Sequence, residues 1–252
     1  MSTPSTVLIT GCSSGFGLET ARLFFERGWR VVATMRTPRE DLLPRDDRLR
    51  VLPLDVTDAA SIRRCIDAAG PLDALVNNAG VGLLAALEGV ELASARELFE
   101  TNTLGTIAMT QAVLPQFRQR RAGVVVNVTS TVTLLPLPLL SVYTGSKAAV
   151  NAFSESLALE LEPFDVRVRI VLPGRSLATN FGDNARRLMA DSVPDAYADF
   201  TQRVIASVSD ANGLLTQAAD VADAVWRAVT DPAAPMRIPA GADALALALS
   251  QQ

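Results

Sequence analysis

No histidine occurs in the 252 residues of this chain, and lysine occurs once. Without imidazole there is no His-activated nucleophile and no His-based metal centre, so proton transfer falls to Tyr, Lys, Asp, Glu or Ser. The two cysteines, Cys12 and Cys65, match neither a metal-ligand spacing nor a disulfide framework, and a reducing cytoplasmic location is expected. Basic residues do not outnumber acidic ones. The counts of 23 and 27 give a net charge of −4, which argues against nucleic acid as a partner. A secretory leader is not expected either, because Met1 is followed almost at once by the apolar strand pattern TVLIT. One uncharged run, Ala122 to Ser146, is long enough to resemble a membrane span. It carries Asn127, with Pro136 and Pro138 in its middle, so it reads as strand, loop and helix start, and no membrane association is expected.

What is present is a regular alternation. TVLIT (6–10), RVVATM (30–35), RVLPL (50–54), DALVNNAG (73–80), GVVVNVTS (123–130) and VRVRIVLPG (166–174) are short apolar runs ending in small or polar residues. Such near-continuous runs suit a parallel sheet covered on both faces. Helical patterns lie between them: GLETARLFFERG, closed by Gly28; TDAASIRRCIDAAG; the long SARELFETNTLGTIAMTQAVLPQF; and YTGSKAAVNAFSESLALELEP, stopped by Pro163. AADVADAVWRAV and the short strand MRIPAG follow near the end. Alternating β and α with no linker or repeat predicts one doubly wound, Rossmann-like α/β domain over residues 1–252. After about residue 180 the strand rhythm lapses, and residues 176–215 read as a segment covering one mouth of the sheet. In such a sheet ligands sit outside the carboxyl ends of the strands, so the functional residues should gather there.

The first strand runs into TGCSSGFG (10–17), where Gly11, Gly15 and Gly17 allow a tight turn and close approach of a pyrophosphate to a helix N-terminus. The spacing is not G-x-G-x-x-G, and a structural strand–helix turn also favours glycine; its place after the first strand favours dinucleotide binding, with Ser13, Ser14 and Phe16 in the same turn. The second strand ends without the acid that would hold the 2′-hydroxyl of NAD. Arg36 follows, suited to the 2′-phosphate of NADP, with Arg39 close behind. NADP(H) is therefore expected over NAD(H). Asp55, next to Val56, is placed to accept from an adenine amino group or to cap the following helix. NNAG (77–80) supplies Asn78, Ala79 and Gly80, small enough for a cofactor to lie over the sheet edge.

The single lysine stands in YTGSKAAV, four residues after one of only two tyrosines. On a helix Tyr143 and Lys147 share one face. A phenol with a pKa near 10 is a poor base; lowering it by ~3 units takes ~4 kcal/mol, about what one cation at ~4 Å supplies at an effective dielectric of ~20. Ser130, at the end of the fifth strand, is placed to bond the carbonyl oxygen that Tyr143 protonates, with Thr129 and Thr131 as chemically similar neighbours. Asn102 lies inside a long helical pattern, where Asn is a mediocre helix former. It reads either as a surface residue or as a local break holding a water near Lys147.

Together these residues resemble the short-chain dehydrogenase/reductase family, over nearly the whole chain. TGCSSGFG looks like its T-G-x-x-x-G-x-G loop, NNAG like its N-N-A-G, and Asn102, Ser130, Tyr143 and Lys147 fall on its four catalytic positions. The resemblance implies a seven-stranded parallel sheet and direct hydride transfer without metal. Tyr143 would be the general acid/base. Lys147 would lower its pKa and hold the nicotinamide ribose, Ser130 would polarise the carbonyl, and Asn102 would hold a relay water. Pro173 and Gly174 match the turn after the sixth strand, but Ala178 occupies the slot of the family's nicotinamide-contacting Thr, with Thr179 one residue later. The ending RIPAGADALALALSQQ lacks the V-D-G-G-like tail of many tetrameric members, so a homodimer is expected. The leading expectation is an NADPH-dependent reductase of hydrophobic ketones and keto esters, reversible as an alcohol dehydrogenase. A steroid- or retinol-type dehydrogenase, an epimerase or dehydratase, and an NADP(H)-sensing regulator are the alternatives.

Overall fold

A computed structural model describes residues 4–176, 193–209 and 213–250. Seven strands form one parallel sheet in the order β3-β2-β1-β4-β5-β6-β7. They are β1 (Thr6–Ile9), β2 (Arg30–Met35), β3 (Leu49–Pro53), β4 (Ala74–Asn77), β5 (Gly123–Val128), β6 (Val166–Pro173) and β7 (Arg237–Ala240). The order reverses between β1 and β4, and crossover helices lie on both faces. The helices are α1 (Gly15–Glu26), α2 (Ala59–Ala69), α3 (Leu92–Phe99), α4 (Gly105–Arg120), α5 (Ser141–Leu161), α6 (Ala198–Ser209), α7 (Ala218–Thr230) and α8 (Ala242–Ser250).

Side-chain alternation along each strand divides the core into two layers. Val7, Ile9, Val31, Ala33, Val76, Val124 and Val126 face α1 and α7, where Phe24, Val221 and Val225 are buried with them. Leu8, Val32, Leu75 and Val125 point the other way, into a layer with Ile62, Met109, Phe117 and Leu157. Both faces are covered, so both phases of the alternation must be apolar. The uncharged run 122–146 resolves into β5, a short 3-10 turn at Thr131–Thr133, and the start of α5. Among the described residues no helix is long and apolar enough to cross a membrane.

Two features depart from the local pattern. The long helix expected from Ser94 onward is split, because α3 passes into α4 through a π-helical turn at Glu100–Leu104. The C-terminal tail forms α8 with Leu245 and Leu249 exposed, although its leucines alternate instead of recurring at helical spacing.

Candidate active site

The strands' carboxyl ends surround a cleft of about 520 Å³, within the range of small-molecule and cofactor pockets. Gly11, Ser13, Ser14, Gly15 and Phe16 form one wall. Gly11 adopts φ +75°, and a Cβ there would stand 2.8 Å from the Ala79 Cα. Only glycine lets the two strand ends close up in this way. Gly17 serves packing instead of lining the cleft, since a side chain there would overlap Asn78 and the Gly11 carbonyl. No acidic residue stands in the first turn of α1, so its partial positive charge is not offset there.

Thr10 joins this wall to the next. Its hydroxyl accepts from the backbone N–H groups of Asn78 and Ala79, both at 2.9 Å. The Asn78 amide returns bonds to the Thr10 and Gly11 carbonyls at 2.9 and 3.2 Å. Ala79 and Gly80 continue along the cleft. At the far end Arg36 is exposed on the cleft wall and makes no hydrogen bond or ion pair with any described residue. Arg39 differs: it is paired with Asp41 at 2.8 Å. Asp55 also lines the cleft and does not cap α2, a role taken by Asp58, which accepts from Ala60 N–H at 2.8 Å. Asp55 Oδ1 accepts from the Thr57 N–H and hydroxyl, and these bonds, with a smaller contribution from Arg36, hold its carboxyl below the ordinary range. Val56 lies beside it in the cleft wall.

At the opposite end stand Tyr143 and Lys147, one helical turn apart on α5 and both buried. Ser130 hydrogen-bonds the Tyr143 phenol, which separates it from Thr129 and Thr131. The Thr129 hydroxyl is buried without a hydrogen-bond partner among the described residues. The other tyrosine, Tyr197, precedes α6 and does not line the cleft; hydrogen bonding to Glu88 raises its phenol pKa.

Lys147 Nζ donates to the Val128 carbonyl at 3.0 Å and lies 6.0 Å from the Tyr143 ring centroid. Burial pushes the Tyr143 phenol up to about 12, with the Ser130 hydrogen bond acting in the opposite direction. Burial also pushes the Lys147 ammonium down to about 8. The phenol is therefore a proton donor at neutral pH, not a phenolate.

Asn102 sits inside the π-turn and is 1% exposed, so it is not a surface residue. Its Oδ1 accepts from Val81 N–H at 2.8 Å, and its Nδ2 donates to the Val81 carbonyl at 3.0 Å and to Ser146 Oγ at 3.1 Å. Both amide hydrogens are thereby used. The extra residue of the π-turn rotates Asn102 inward, consistent with π-turns being frequent at functional sites.

Pro173 ends β6 and Gly174 follows it; neither lines the cleft. Thr179, like Ala178, lies outside the described residues. The Arg175 guanidinium donates to the Ser207 carbonyl on α6 at 3.1 Å. Ser146, Glu97 and Thr101 were not singled out from the sequence. Glu97 and Thr101 line the cleft from α3 and the π-turn, and in an uninterrupted helix they read as ordinary solvated positions. Beside Tyr143 lies an apolar cluster of Leu83, Ala85, Leu98, Val132 and Leu140. Among the described residues no group of His, Cys, Asp or Glu could hold a metal ion.

Comparison with known proteins agrees with this geometry. The short chain dehydrogenase family model matches residues 5–188. A 3-ketodihydrosphingosine reductase of Bacteroides thetaiotaomicron is 38% identical over 203 residues, covering 78% of this chain and 72% of the relative. A short-chain dehydrogenase from Streptomyces avermitilis superposes with a TM-score of 0.84 at 31% identity, covering 100% of this chain and 93% of that one. A closed form of serine dehydrogenase complexed with NADP+ gives a TM-score of 0.78 at 29% identity, covering 93% of each chain. By sequence and by fold, this chain is a member of the short-chain dehydrogenase family.

Proposed function

We propose that this protein is an NADP(H)-dependent reductase of hydrophobic ketones and keto esters that also oxidises the corresponding secondary alcohols. The observation that carries the reading is the Ser130–Tyr143 hydrogen bond, set at one end of a long cleft and beside an apolar cluster. The cleft suits a dinucleotide: a glycine turn from Gly11 to Gly15 on its wall, an α1 N-terminus without acidic residues in its first turn, and exposed Arg36 at the opposite end. When bound, the nicotinamide cofactor supplies or accepts the hydride.

The chain's own residues do the rest. Tyr143, held protonated by burial, donates its proton to the carbonyl oxygen during reduction. Ser130 bonds the same oxygen and stabilises the charge developing there. Lys147 presents its ammonium to the cofactor ribose, and Asn102 fixes the turn that positions α5 against the Val81 segment. Arg36, exposed on the cleft wall, is the cation placed for a 2′-phosphate, whereas Arg39 is paired with Asp41. The relative named a 3-ketodihydrosphingosine reductase supports a keto substrate, and the neighbour complexed with NADP+ supports the cofactor.

The test is to mix protein, NADPH and a panel of aryl ketones, medium-chain ketones, keto esters and sugars, following loss of the reduced nicotinamide absorbance. Aryl or medium-chain ketones should be consumed fastest. Best turnover on sugars or polyols would refute the apolar-pocket reading, and NADPH binding without turnover on any carbonyl would favour a sensor.

A further inference from the structure

Tyr143, Lys147, Asn151 and Ser154 follow one another along one face of α5, and all four are buried. A buried helix face is ordinarily apolar. Here each of the four meets β5 or the turn that follows it. Tyr143 bonds Ser130, Lys147 reaches the Val128 carbonyl, and Ser154 accepts from Asn127 Nδ2 at 2.8 Å. Asn151 reaches the end of the turn. Its Nδ2 donates to Thr133 Oγ1 at 2.9 Å, and the Thr133 hydroxyl donates to the Ser130 carbonyl at 2.8 Å. Thr133 has one hydroxyl proton, already given to Ser130, so only the NH2 side of the Asn151 amide meets its oxygen. Asn151 Oδ1 is left buried with no hydrogen-bond partner among the described residues. An orphaned buried acceptor costs stability, so folding energy alone does not account for an amide at this position.

We infer that Asn151 is a positioning residue, which through Thr133 sets where the Ser130 hydroxyl stands against the Tyr143 phenol. Three bonds fold the Thr131–Thr133 turn onto Ser130. Val132 N–H donates to Ser130 Oγ at 3.3 Å and Thr133 N–H donates to the Ser130 carbonyl at 3.3 Å, so the Thr133 hydroxyl bond is the shortest of them. Asn151 ties that hydroxyl to the helix that carries Tyr143. Two hydroxyls that must bond one carbonyl oxygen need a fixed separation, and a small misplacement lowers the rate without touching the cofactor's own contacts. The catalytic consequence rests on the proposed reading of Ser130 and Tyr143 as the groups that act on the substrate oxygen; the tie itself does not.

The test compares wild type with Asn151→Leu, Thr133→Val, the double variant and Thr133→Ser. It reads melting temperature, NADPH Kd, KM and kcat on an aryl ketone, the solvent deuterium effect on kcat, and crystal structures of wild type and Asn151→Leu. Asn151→Leu removes the tie and the orphaned oxygen together, so its melting temperature should not fall below that of wild type. Its kcat should fall about ten-fold or more, with KM and NADPH Kd within about three-fold. The solvent deuterium effect should rise as proton donation from Tyr143 becomes the slow step. Thr133→Val breaks the same tie from the other side and should lower kcat likewise, and the double variant should lose no more than the larger single loss. Thr133→Ser keeps the hydroxyl and should restore near-wild-type kcat. Unchanged kcat in folded Asn151→Leu or Thr133→Val, losses that multiply as independent, or a lower kcat with an unchanged solvent effect would overturn the inference. If wild type consumes no ketone, the proposed function has failed, and the crystal structures decide the tie without substrate. In Asn151→Leu the Ser130 hydroxyl should leave hydrogen-bonding distance of the Tyr143 phenol, and a retained bond overturns the inference.

Discussion

Asn102 Nδ2 donates to the Ser146 hydroxyl at 3.1 Å, and that hydroxyl in turn donates to the Tyr143 carbonyl at 2.8 Å. The π-turn is thus tied to the helical turn that carries both Tyr143 and Lys147. Replacing Asn102 with Ala leaves the Val81 N–H and carbonyl without their partner in a buried site, at about 1–3 kcal/mol for each unmet group. The variant should melt several degrees lower and lose kcat more than NADPH affinity. Thermal unfolding and single-substrate kinetics check this, and an unchanged kcat would show that the turn does not position α5.

Tyr143→Phe removes only the transferable proton and the bond to Ser130. Turnover should vanish while NADPH Kd stays within about two-fold. Lys147→Arg keeps a charge, but a planar guanidinium fork does not replace the compact, buried ammonium that donates to the Val128 carbonyl. It should also be severely impaired. Near-wild-type turnover of the Phe variant rules out the proposed acid.

Burial of Lys147 has a stability consequence with a definite sign. Its folded-state pKa is pushed down to about 8 from the ordinary 10.5, so the folded protein binds this proton less readily than the unfolded chain. Stability through this group is therefore smallest below pH 8 and rises between about 8 and 10.5. Lys147→Met removes a penalty of roughly 3 kcal/mol at pH 7, against about 1 kcal/mol for the Val128 carbonyl it leaves unmet. The inactive Met variant should melt a few degrees above wild type at pH 7, and the gap should close by pH 10.5. Differential scanning calorimetry at the two pH values decides it.

Arg36→Ala should weaken NADPH about ten- to hundred-fold and leave NADH nearly unchanged, the loss of one charge-assisted phosphate contact. Titration by nicotinamide fluorescence distinguishes the cofactors. Equal losses for both would remove Arg36 from 2′-phosphate recognition.

The strands and the ends at which chemistry gathers follow from the sequence because they rest on local patterns. Short β-branched runs require burial on both faces, and a parallel sheet brings every carboxyl end to one edge. Tyr143 and Lys147 share a helix face by their spacing alone. Contacts between distant segments decided the rest. Asn102 meets Val81 and Ser146 across 21 and 44 residues, and the inserted residue of the π-turn leaves no local hydrophobic signature. Ser130 could not be told from Thr129 by chemistry, only by which hydroxyl reaches the phenol. Arg36 and Arg39 differ through Asp41, whose side chain claims one of them. The leucines of α8 alternate at 245, 247 and 249, a spacing that does not announce a helix, and the fold supplies its anchor through Asp243. The protonation of Tyr143 was least legible. Desolvation sums over every atom packed around the phenol, and that sum exists only once the chain has folded.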